Sequence, residues 1–92
     1  MKVHQIFAEN FLRNFMYILE TQEGQYVIDP TDPKKIKSYL DRFKNKNFRA
    51  IINTHEHFDH TQGNKALKDA FGCEIWAHSN ARGKISGVDR FL

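Results

Sequence analysis

The chain has 92 residues, 14 of them Lys or Arg and 11 Asp or Glu, for a formal net charge of +3 with histidine neutral. At that length these residues form one domain at most and bury only about 60–65% of their unfolded surface, which excludes a barrel-sized or multi-domain architecture within them. A hydrophobic fraction of 40%, with 13% aromatics, excludes low-hydrophobicity disorder.

In chain order, residues 2–7 read as a short strand. Residues 14–20 (Asn14-Phe15-Met16-Tyr17-Ile18-Leu19-Glu20) read as a strand buried on both faces, with 25–29 as its hairpin partner across Glu23-Gly24. Asp29-Pro30-Thr31-Asp32-Pro33 stops that strand and starts a helix, Asp32 serving as N-cap and Pro33 as first helical residue. Ile36, Tyr39, Leu40 and Phe43 supply its apolar face. Phe48 to Ile52 forms another strand that runs into a polar loop, Asn53 to His60. A second helix follows, with Ala66, Leu67, Ala70 and Phe71 as its buried stripe and Gly72 at its end; Glu74-Ile75-Trp76-Ala77 is then a strand. Beyond His78 the pattern fades. This order predicts an α+β fold, a mixed sheet with helices on one face and the other face uncovered.

The longest apolar run, Phe15 to Leu19, is far below the roughly 20 residues of a spanning helix. His4, Gln5 and Glu9 break any signal-peptide core at the N-terminus. A cytoplasmic location with no membrane partner is therefore expected. The single cysteine, Cys73, forms no internal disulfide and reads as a structural thiol near a helix end. Seven basic residues and one acid lie between Lys34 and Arg49. They read as the solvated face of the first helix, and a nucleic-acid partner is not expected at this net charge.

The chemistry concentrates in Thr54-His55-Glu56-His57-Phe58-Asp59-His60, which packs three of the five histidines beside an aspartate. A His-x-His-x-Asp-His pattern arises by chance from this composition roughly once in a thousand such chains. Imidazole with carboxylate and no thiolate suits Zn²⁺, Fe²⁺ or Mn²⁺ at a reactive site and argues against a closed structural zinc finger. In extended backbone, side chains at i and i+2 point the same way, so His55 and His57 can converge on one ion. Asp59 and His60, where the loop turns toward the helix, can serve a second. Two such ions acidify a shared water and polarise a carbonyl or phosphoryl oxygen.

The run Thr54 to Asn64 resembles the signature of the metallo-β-lactamase superfamily, and within it most resembles the hydroxyacylglutathione hydrolase (glyoxalase II) branch. The order of elements across all 92 residues follows the same family. The resemblance implies the N-terminal half of an αββα sandwich, a single truncated domain over residues 1–92. It makes His55 and His57 ligands of a first metal, and Asp59 and His60 ligands of a second. Zn is the expected metal, with Fe and Mn as alternatives, and Asp59 also orients the attacking metal-bound hydroxide. Asp29 corresponds to a supporting acidic strand end. Gln62 departs from the family, which usually has glycine there. The implied function is hydrolysis of a thioester such as an acylglutathione. The residues that complete both metal sites in the family lie downstream of the resemblance, so weak metal binding is expected of this segment. Two other readings follow: an inactive interaction module that pairs with a second copy or a complementary half, and a nuclease half using the Lys34 to Arg49 stretch. Among the remaining residues, His4 reads as an ordinary satisfied histidine, His78 as a strand-end residue near the loop that can support or ligate a metal, and Asp89 as a turn residue.

Overall fold

The computed structural model describes residues 1–7, 15–43, 46–54 and 63–92. Six strands form one sheet in sequence order: β1 (Lys2–Phe7), β2 (Phe15–Thr21), β3 (Gly24–Ile28), β4 (Phe48–Asn53), β5 (Glu74–Ala77) and β6 (Arg90–Phe91). β1, β2 and β3 pair antiparallel, and β3 through β6 pair parallel. The parallel steps require crossovers. Those from β3 to β4 and from β4 to β5 carry helices α1 (Pro33–Leu40) and α2 (Asn64–Phe71).

α1 begins as the sequence predicts. The Asp32 side chain accepts the Lys35 N–H at 3.2 Å, and Pro33 occupies the first turn, where no amide donor is missed. It ends at Leu40, so Phe43 lies beyond the helix, yet it still packs against the core together with Tyr39. α2 departs further from expectation. Only Asn64 and Leu67 are buried, Ala66 and Ala70 are exposed, and Phe71 turns outward to meet the Phe48 ring at 5.2 Å. One leucine suffices because the helix has eight residues and sits over short strands, so a narrow strip faces the sheet.

Beneath the helices, Ile6, Met16, Ile18, Val27, Ile51 and Ile75 meet Ile36, Leu40 and Leu67 in one cluster. Each such buried side chain contributes roughly 1.5–3 kcal/mol. The opposite sheet face carries Tyr17, Leu19, Tyr26, Ile28, Ile52 and Trp76, all half-buried, and no helix among the described residues covers it. β2 is thus fully buried on one face only, which corrects the expectation of burial on both. β6 was invisible to periodicity. Backbone bonds from Asp89 N–H to Ile75 O (2.8 Å) and Leu92 N–H to Ala77 O (2.7 Å) dock it on β5.

Three of the seven basic residues of the Lys34 to Arg49 stretch are engaged within the molecule. Lys35 Nζ donates to the Phe7 carbonyl at 2.7 Å, the Arg42 guanidinium lies 4.7 Å from the Tyr39 ring centre, and Lys46 pairs with Asp41 at 3.1 Å.

Candidate metal centre

His55, His57, Asp59 and His60 lie outside the described residues, as does Gln62. The structure describes the two ends of the segment that holds them. One is Asn53–Thr54 at the end of β4 and the other Gly63–Asn64 at the start of α2; the β4 end lies at the C-terminal ends of the parallel strands, where open α/β sheets place their ligand crevices.

Three contacts fix those ends. The first is Asp29, at the end of β3. Its backbone takes φ of 52°, a left-handed conformation that Asp tolerates better than most residues. That turn aims its 5%-exposed carboxylate at the neighbouring strand end. Oδ1 accepts the Thr54 N–H at 2.9 Å and Oδ2 accepts the Thr54 hydroxyl at 2.6 Å. Both carboxylate oxygens therefore hold the residue preceding His55, with charge-assisted bonds worth about 1.5–3 kcal/mol each.

The second contact is a reciprocal amide pair. Asn53 Nδ2 donates to Asn64 Oδ1 at 3.2 Å, and Asn64 Nδ2 donates to Asn53 Oδ1 at 2.6 Å. Both side chains are buried, and each answers the other's donor and acceptor, so the end of β4 and the start of α2 are joined by a satisfied polar clamp. The third is steric: a Cβ on Gly63 would collide with the Pro30 carbonyl oxygen. Only glycine lets the α2 entrance come this close to the residue after Asp29.

Asn53, Gly63 and Asn64 acquire these roles without having been singled out by the sequence. The available signal was a polar side chain ending an apolar strand and a Gly-Asn step opening a helix. Among the described residues no three His, Cys, Asp or Glu side chains converge to hold an ion. His78, at the end of β5, uses Nδ1 to accept the Asn80 N–H at 3.0 Å and so caps the short 3₁₀ turn Ser79–Ala81. His4 is satisfied on the helix-covered side of the sheet. Its Nε2 lies 3.1 Å from Glu20 Oε1, and its ring meets Tyr39 and Phe43 edge-on. His4, Glu20, Tyr39, Arg42 and Phe43 line a cleft of about 780 Å³ at the end of the sheet opposite the His/Asp loop. Burial pushes the Cys73 thiol up, which leaves it a poor nucleophile. Asp89 does more than make a turn: it accepts the Ile75 N–H at 2.9 Å and pairs with Lys68 of α2. The Lys68 ammonium and the Ile75 amide hold its carboxyl below the usual range. No helix among the described residues is long and apolar enough to cross a membrane.

A family model described as the Metallo-beta-lactamase superfamily matches residues 10–90. A hydroxyacylglutathione hydrolase of Polaromonas sp. is 43% identical over 98% of this chain, which covers 35% of that protein. This chain thus spans about a third of the length of the curated relative. Among solved structures, the BLEG-1 B3 metallo-beta-lactamase superposes with a TM-score of 0.82 at 21% identity, over 99% of this chain and 53% of its own. TTHA1623, solved in a di-iron-bound form, superposes with a TM-score of 0.72 at 26% identity, over 92% of this chain and 50% of its own.

Proposed function

The chain belongs to the metallo-beta-lactamase superfamily, and from that premise we propose that it carries the metal-binding segment of a hydrolase acting on hydroxyacylglutathione-type thioesters. The observation that carries the reading is the pair of anchored ends on either side of residues 55–62. A run of three imidazoles and two carboxylates, Glu56 and Asp59, lies in the sequence between ends held by Asp29, the Asn53–Asn64 clamp and Gly63. The 43% identity to a hydroxyacylglutathione hydrolase supports the choice of a thioester over other substrates.

The donor set fits a divalent ion of borderline softness. In this reading His55 and His57 hold one ion and Asp59 and His60 a second; zinc suits these donors, and iron, the metal of one structural neighbour, suits them too. Such ions supply Lewis acidity, making a water more acidic and polarising the thioester carbonyl. The chain's own residues do the positioning. The Asp59 carboxylate accepts a hydrogen bond from the attacking water and orients it. Asp29, through Thr54, fixes where His55 enters the site, and the Asn53–Asn64 clamp fixes the span over which the four ligands are presented. Residues 1–92 give each ion two protein ligands, against the usual three at an open tetrahedral zinc site, so binding by this segment is expected to be weak.

The test is thiol release from a hydroxyacylglutathione by a zinc- or iron-loaded full-length protein that contains this segment. The reading expects metal-dependent release that Asp59→Asn reduces by at least tenfold. A metal-loaded full-length protein inert toward every thioester tested overturns the assignment. The nuclease reading calls on the Lys34 to Arg49 stretch, of which Lys35, Arg42 and Lys46 are engaged within the molecule.

A further inference from the structure

We propose that the cleft at the N-terminal ends of β3 and β4 binds a short zwitterionic peptide, its ammonium toward Glu20 and Glu23 and its carboxylate toward Arg42. The cleft lies on the helix-covered side of the sheet. His4 pairs with Ile18 across β1 and β2 and stands two residues from the buried Ile6, so it shares the face of the core. Tyr39 and Phe43 pack against the same core from the helix layer. At about 780 Å³ the space falls within the range of small-molecule sites.

Charge selects the ligand. Glu20 on β2 and Glu23 in the turn after it line the cleft from the sheet, and Arg42 lines it from beyond the end of α1. Glu20 spends Oε1 on His4 at 3.1 Å, and the Arg42 guanidinium lies over the Tyr39 ring. Among the described residues no ion pair joins Arg42 to either carboxylate. An anion in this cleft meets two carboxylates, and a simple cation meets the guanidinium. A molecule that carries both charges, one toward each wall, satisfies all three groups.

The surface between the charges is aromatic. The His4 ring meets Tyr39 at 5.7 Å and Phe43 at 5.4 Å, edge-on to both, and Glu20 fixes His4 in turn, so the three rings form a held wall for an apolar side chain. The polar groups beside it are engaged with one another. Gln25 accepts the Asn47 N–H at 2.8 Å, and Asn47 Nδ2 donates to the Glu23 carbonyl at 2.6 Å. Recognition therefore falls to the three charged side chains and the rings. The inference uses no residue between 55 and 62 and does not rest on the thioesterase reading.

Calorimetric titration of glycyl-phenylalanine into a metal-free full-length protein that contains this segment tests it. Saturable binding is expected. Blocking the ammonium, as N-acetyl-glycyl-phenylalanine, or the carboxylate, as glycyl-phenylalanine amide, should each weaken binding by about tenfold or more. Arg42→Gln should weaken the free dipeptide to the same extent and leave the amide unchanged, because the amide has no carboxylate to lose. Arg42 is exposed, so circular dichroism should show an unaltered fold. Should the variant fail to fold, the blocked peptides decide the outcome with the unmodified protein. Absence of saturable binding overturns the proposal. So does equal affinity for free and blocked peptides, or binding of the free dipeptide that a folded Arg42→Gln leaves intact. Because the titration uses no metal and no thioester, a failure of the proposed function leaves its outcome unchanged.

Discussion

The two ends of the sheet are built with the same devices and lead to different chemistry. At the end that holds β3's first residue, a Cβ on Gly24 would collide with the Asn47 carbonyl oxygen, and the buried Gln25 side chain accepts the Asn47 N–H at 2.8 Å. At the opposite end, Gly63 presses on the Pro30 carbonyl in the same way, and Asn53 and Asn64 are the buried amides. Tight glycines and satisfied amides are therefore general means of closing a strand–helix corner and do not by themselves mark a site. The difference is that one corner frames a His/Asp-rich loop and adds a buried carboxylate, Asp29, committed to the residue before it. The other opens onto a cleft where His4 pairs with Glu20, with no third ligand among the described residues.

Substitutions that treat the two corners alike should separate them. Gly63→Ala and Gly24→Ala each force a backbone carbonyl to move and are expected to cost about 2–3 kcal/mol in urea unfolding. Only Gly63→Ala should also weaken zinc binding, by tenfold or more. Equal loss of zinc affinity in both variants would show that the framing of the loop is not specific.

A smaller effect sharpens the role of the amide clamp. Asn53→Ala or Asn64→Ala removes one half of a buried amide pair and should cost about 1–3 kcal/mol. The double variant should cost less than the sum, with a coupling of about 1 kcal/mol; strict additivity would mean that the pair is not a unit.

The smallest effect lies away from both corners. The Asp89 carboxyl is held below its ordinary value in the folded chain, so its pairing with Lys68 stabilises fully above the unfolded-state pKa, near 3.8. That contribution is lost as pH falls through the lowered folded-state value. Because both side chains are more than a third exposed, Asp89→Asn should remove less than about 1 kcal/mol at neutral pH. It should also flatten the acid limb of a stability–pH curve below pH 4; an unchanged acid limb would discount the pair.

Where local chemistry decides structure, the sequence was sufficient. Asp32-Pro33 starts α1 because the side chain and the ring act on the backbone beside them. Where distant partners decide, it was not. β6 exists because β5 offers carbonyls to it, and the Ala66–Phe71 stripe fails because a narrow contact with the sheet selects Leu67 alone. The four proposed ligands, His55, His57, Asp59 and His60, stand out in composition and spacing. Of the frame around them only Asp29 was anticipated, through the resemblance; its partner Thr54, 25 positions away, meets it only once β3 and β4 pair.

The central claim is that residues 55–60 bind divalent metal, and native mass spectrometry of the purified chain with added Zn²⁺ tests it most directly. The account predicts one or two ions per chain, weakly held, and their loss in a His55→Ala, His57→Ala, Asp59→Asn, His60→Ala variant that keeps its fold by circular dichroism. A chain that takes up no zinc, or one whose zinc survives removal of all four side chains, would contradict it.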